Sequence, residues 1–178
     1  SPAGALMELL PADREERVAV LSVGESESHL AFVSGDTLRS ARTLRFGVGK
    51  LEQMVAKGLG IAVEDAANYW RRIGLGEGDG MIATGDVVRI QHAVKAGLKG
   101  LASPMFTTLK ALPDAVLPET IYVTGDISAL EGVCEFLSEA LEVDVQPLML
   151  QAALEDFEEE SKVPAPSYAP ALGLVLAL

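Results

Sequence analysis

The chain is short of the residues that most often carry chemistry. Its 178 residues include one cysteine, Cys134, so no internal disulfide framework can form, and a single cysteine fits a reducing compartment. Its two histidines, His29 and His92, lie far from each other and from Cys134, which gives little support for a zinc site. Cations are outnumbered, 14 Lys and Arg against 26 Asp and Glu, for a net charge of −12. Unaided nucleic-acid binding needs clustered Lys and Arg, so that balance argues against it. It also disfavours adhesion to anionic lipid. No apolar run approaches the roughly 20 residues that span a bilayer. The first residues lack the basic-then-apolar pattern of a secretory leader.

Apolar residues are plentiful. They make up 49% of the chain, enough for a sizeable core in one or at most two domains. Both ends look cropped, and the expectation is a fragment of a longer protein. Residues 1–16 are expected to be the end of a missing preceding subdomain, and residues 17–178 to form one domain.

Residues Arg17–Phe46 read as a three-stranded meander. Val18–Val23 is a nearly continuous apolar run, as a central strand requires. His29–Ser34 follows, and Ser34-Gly35-Asp36-Thr37 is a tight-turn signal. Thr37–Phe46 carries Arg39, Arg42 and Arg45, which mark a sheet edge, where charge deters stray pairing. Apolar spacing predicts helices over Lys50–Leu59, Val63–Ile73 and about Asp86–Lys110. Pro104 is expected to interrupt and kink the last, because its ring clashes with the Gly100 carbonyl. The glycine-rich stretch Gly74–Gly80 is expected to be mobile. Thr120–Thr124 reads as a short buried strand. Ser128-Ala129-Leu130-Glu131 reads as a capping box opening a helix over Ser128–Leu141. A strand over Val143–Gln146, an exposed acidic loop over Glu155–Lys162 and a final helix over Tyr168–Leu178 complete the pattern.

The order β-β-β-α-β-α-β-α is that of the ribonuclease-H-like half of actin-type ATPases. At Ser22-Val23-Gly24-Glu25-Ser26-Glu27-Ser28 the chain resembles the actin-like proteins of bacterial envelope machines: PilM of type IV pili, GspL of type II secretion and, more distantly, FtsA. Their pattern there is a strand, Asp-x-Gly-x-x-x-Thr and a second strand. The resemblance continues through RFGVGKLEQMVAKGLGIAVEDAANYWR, returns in IYVTGDISALEGVCEFLSEALEVDVQPL and closes with YAPALGLVLAL. It covers most of the chain from about Arg17, but only the second half of such a protein. It implies an α/β, ribonuclease-H-like (actin-like) subdomain. Its mixed five-stranded sheet would hold a three-stranded antiparallel meander and two further strands, with helices on both faces.

The resemblance also implies where a nucleotide would lie: Gly24, Ser26 and Ser28 in the first turn, and Gly125 in the later one. The departures bear on mechanism. ATP-binding members carry an aspartate at the Ser22 position that helps hold the metal, and serine replaces it poorly, because Mg²⁺ wants carboxylate and phosphate oxygens. Glu25 and Glu27 would repel phosphates. Asp126 and Ile127 follow Gly125 where consecutive glycines usually admit adenosine. These positions therefore read as vestigial nucleotide loops. No catalytic residue, metal ligand or bound cofactor is expected, with Mg·ATP as the alternative.

Other motifs carry less. Gly47-Val48-Gly49-Lys50 imitates a phosphate loop, but Leu51 stands where Ser or Thr should meet Mg²⁺, so helix entry is the reading. A ribonuclease-H-type nuclease needs clustered carboxylates, and the first strand has none before Glu25. Cys134 lies on an apolar helical face and His92 on a polar one. Arg39, Arg42 and Arg45 have two readings, edge protection and a partner-binding strip for an acidic segment or an added strand.

By resemblance, the expected function is a non-catalytic cytoplasmic scaffold of a type II secretion (GspL-like) or type IV pilus (PilM-like) platform at the bacterial inner membrane. Its expected partners are the secretion or pilus ATPase and inner-membrane platform proteins, with homo-oligomers a further option. The alternative is an ATP-binding, PilM-like switch protein. A sugar- or acyl-kinase fragment of the same superfamily ranks third, for want of a catalytic carboxylate.

Overall fold

The computed structural model describes Leu10, residues 14–77 and residues 80–148. The expected acidic loop and final helix lie outside the described residues. Strands β1 (Arg17–Val23), β2 (Ser28–Ser34) and β3 (Thr37–Leu44) form the meander. Helices α1 (Val48–Leu59), α2 (Val63–Ile73) and α3 (Thr84–Lys110) follow. Strand β4 (Thr120–Thr124), helix α4 (Val133–Leu141) and strand β5 (Asp144–Pro147) complete the described fold.

The sheet order is β3-β2-β1-β4-β5. β1 pairs antiparallel with β2 and parallel with β4, and β4 pairs parallel with β5. The apolar run of β1 is therefore central, as its sequence requires, and the arginine-bearing β3 is an edge. Side chains alternate across a strand. Ala19, Leu21 and Val23 of β1 join the core that all four helices build, with Leu30, Phe32, Ile121 and Val123. Val18 and Val20 join a second cluster with Leu10, Val33, Tyr122 and Leu148. Trp70 is the largest fully buried side chain. Each fully buried Leu, Ile or Phe of this core contributes about 1.5–3 kcal/mol, so the strand–helix interface dominates stability.

Local chemistry accounts for some of the helix ends. α1 stops at Gly60, whose left-handed φ of 70° returns its N–H to the Ala56 carbonyl. α2 carries Glu64 and Asp65 in its first turn and Arg71 and Arg72 in its last, matching the helix dipole.

Two expectations are corrected. Pro104 does not interrupt α3, which runs through it to Lys110. Gly100 and Pro104 both face water, so the carbonyl that loses its partner is solvated. The Thr107 and Thr108 hydroxyls donate to the Ser103 and Pro104 carbonyls on the same exposed side. The capping box does not form. Residues Asp126–Ala129 make a 3-10 turn instead, Leu130 is extended, and α4 begins after Gly132, whose φ is +77°. The Ser128 hydroxyl donates to the Gly125 carbonyl at 2.8 Å, inside that turn. The first part of the glycine-rich stretch is anchored: Leu75 N–H donates to the Glu131 carbonyl at 2.9 Å, and the Gln91 amide donates to the Gly76 carbonyl at 2.7 Å.

Candidate functional site

β1 and β4 are parallel neighbours, so their carboxyl ends open on the same side of the sheet. There β1 turns back into β2 while β4 leads toward a helix, the arrangement that makes a crevice in open α/β sheets. Gly24 and Gly125 follow these two strands. The second turn lies against the end of β1, with Gly125 beside Val23. Gly125 has a φ of +101°, and a Cβ there would collide with the Val23 carbonyl. Only glycine meets both demands.

The first turn is closed by the chain itself. Gly24 N–H donates to the Glu27 carbonyl at 3.1 Å. The amides that open α1 are spent on the same turn: Val48 N–H donates to the Gly24 carbonyl and Gly49 N–H to the Glu25 carbonyl, both at 2.9 Å. A side chain at Gly47 would collide with the Glu25 carbonyl, and the Glu25 carboxylate lies against Gly49. Gly47-Val48-Gly49-Lys50 is thus a helix entry, with Gly47 extended at the N-cap and no side-chain cap. Ser28 is fully buried, and its hydroxyl donates to the Phe46 carbonyl at 2.7 Å. Ser22 is buried, paired with His29 on one side and Thr124 on the other. Gly24 and Ser26 are exposed at the tip.

An ion cluster spans the second turn, which sequence reading missed. The Arg71 guanidinium bonds Asp126 at 2.9 Å and lies 3.7 Å from Glu52, whose carboxylate also accepts the Trp70 indole N–H at 3.3 Å. Arg71 stacks over the Trp70 ring at 4.9 Å. One cation thereby ties α1, α2 and the turn after β4. The signal in sequence was thin: Arg71 is a C-terminal helix cation, an ordinary place for one.

Other groups are placed as follows. Burial first, then the Glu135 and Asp144 charges, pushes the Cys134 thiol up to about 11, so it is protonated and a poor nucleophile at neutral pH. His92 is exposed. Among the described residues no three His, Cys, Asp or Glu side chains group as metal ligands. Among the described residues no helix is long and apolar enough to cross a membrane.

The three arginines occupy three different settings. Phe32 pairs with Ser40 and Val33 with Leu38, which leaves Arg39 as the extra residue of a bulge. Arg42 stands opposite Leu30, and Arg45 lies just past the end of β3. All three are exposed.

No family model matches the sequence, and no curated protein matches it. Solved structures do match its shape. The ethanolamine utilization protein EutJ of Carboxydothermus hydrogenoformans is 17% identical over 98% of this chain and 53% of its own, with a TM-score of 0.69. The PilM-PilN type IV pilus biogenesis complex is 22% identical over 99% of this chain and 50% of the other, with a TM-score of 0.74. MreB5 of Spiroplasma citri bound to ADP is 10% identical over 98% and 57%, with a TM-score of 0.73. The chain spans about half the length of these neighbours. With the strand order and mixed sheet described above, these likenesses establish that the chain has the actin-like fold.

Proposed function

We propose that this chain is part of a non-catalytic scaffold at the cytoplasmic face of a bacterial inner membrane, in a type II secretion (GspL-like) or type IV pilus (PilM-like) platform. It works through protein contacts with the platform's ATPase and membrane components. The observation that carries the reading is the first turn closed by the chain itself, where Glu25 lies against the start of α1 and the first α1 amides are already bonded. These residues do not fit Mg·ATP. Ser22 offers no carboxylate, Ser28 has committed its hydroxyl to Phe46, and Arg71 ties Asp126 to the helices. The likeness to a PilM-PilN complex supports the platform setting at the level of fold.

A second reading is an ATP-binding switch. It draws on neighbours of the same fold solved with nucleotide, such as MreB5 bound to ADP.

Two measurements separate them. Titration calorimetry of the full-length protein with Mg·ATP should give no binding heat; micromolar binding abolished by Gly24→Asp would carry the switch reading instead. A pull-down with the cognate secretion or pilus ATPase and platform proteins should capture a partner, more weakly at high salt and after Arg39→Glu/Arg45→Glu. If no platform component binds, the scaffold reading is wrong.

A further inference from the structure

The two edges of the sheet are finished differently. β5 is four residues long and ends on Pro147, which has no N–H to offer a new neighbour. Its Asp144 would also repel an acidic strand. β3 is eight residues long, contains no proline and, among the described residues, pairs on one side only, with β2. Six of its eight residues are exposed, and Leu38 is one of the few large apolar side chains left in water. An open edge of this length is a template for another strand unless charge restricts the partner.

The charges on this edge have one sign and, among the described residues, no counterion. Arg14, Arg17, Arg71 and Arg89 each hold a carboxylate. Arg39, Arg42 and Arg45 hold none; Arg42 donates only to the Ala41 carbonyl at 3.0 Å, along its own strand. These three cations, without a carboxylate partner among the described residues, stand on a chain of net charge −12. A second copy of β3 would bring like charges face to face, which costs stability in a strand pair. An acidic strand meets the opposite balance.

We propose that the β3 edge receives an acidic, extended segment of a partner protein as a sixth strand. Backbone bonds along Ser40–Leu44 supply the affinity, and Arg39, Arg42 and Arg45 select the charge of the entrant. The bulge at Arg39 bends the strand and limits the straight run to the residues after it. This rests on the scaffold reading in taking the partner to be a protein, and it names that partner's chemistry.

The probe is a labelled eight-residue peptide, matched to the length of β3, with alternating Glu and Val. Anisotropy against the whole chain should show saturable binding. Replacing Glu by Lys in the peptide should weaken it roughly tenfold or more, and so should N-methylation of alternate peptide amides, which removes backbone donors and leaves charge intact. Arg39→Glu/Arg42→Glu/Arg45→Glu should do the same; if that variant does not fold, the three Arg→Gln changes carry the test. The proposal is overturned by absence of binding, by equal binding of the Lys peptide, or by indifference to N-methylation. A wild-type dimer in sedimentation that excludes the peptide also overturns it, because a second copy then fills the edge. No platform component enters this assay. Its failure removes the strand-addition surface, whereas failure of the pull-down removes the platform reading.

Discussion

β1 and β3 belong to one sheet, two positions apart, and obey opposite rules. β1 has a neighbour on each side, and six of its seven residues are buried. β3 has one neighbour among the described residues, and one of its eight residues is buried. In β1 both faces are covered after the half-buried Arg17, so each of the six buried positions is small or apolar and the strand reads Arg-Val-Ala-Val-Leu-Ser-Val. In β3 water solvates the side chains, and two arginines are accepted within the strand, with a third just beyond it. The difference assigns stability to the centre of the sheet more than to its edge.

The contrast is sharpest at Val20, which is fully buried in the second cluster. Val20→Asp puts an unpaired charge there at a cost of several kcal/mol. The variant should lack a cooperative unfolding transition by circular dichroism at 25 °C, in conditions where wild type shows one.

A smaller loss is expected at Gly125, where the backbone conformation is one that essentially only glycine adopts. Gly125→Ala should destabilise by about 1–3 kcal/mol from strain alone, with the collision at the Val23 carbonyl adding to it. A urea midpoint equal to wild type would mean the turn is not held tightly against β1. The acidic-peptide affinity at β3 should not move, because the turn lies at the far side of β2 from that edge.

The smallest effect belongs to Arg42→Ala, expected to stay within about 0.5 kcal/mol. Comparable losses of thermal stability from Val20→Asp and Arg42→Ala would erase the distinction between the two strands.

Much of the fold was legible because it rests on local patterns. Continuous apolar residues marked β1, period-four spacing marked α2 to the residue, and arginines marked the β3 edge. Errors fell where a local signal met a competing one. Ser128 and Glu131 have capping-box spacing, but Ser128 found the Gly125 carbonyl within its own turn and Gly132 set the helix start. Pro104 breaks helices in principle, yet its missing hydrogen bond faces water and packing of the opposite side of α3 prevails. Of the expected loop residues, Gly125 lies against Val23, the residue before Gly24. Nothing local announced that the Ser28 hydroxyl is taken up by Phe46.

By itself the sequence determined the alternation of elements, the central and peripheral strands, and the absence of a carboxylate at Ser22. Those are properties of composition and period, which act over a few residues. Only the tertiary structure decided that the α1 amides close on the Gly24–Glu25 turn, that Arg71 joins Glu52 to Asp126, and that Arg39 sits in a bulge. Each of these depends on segments far apart in the chain, or on the register between two strands. Their partners are chosen by where the packed core sets the backbone, and no run of neighbouring residues contains that information.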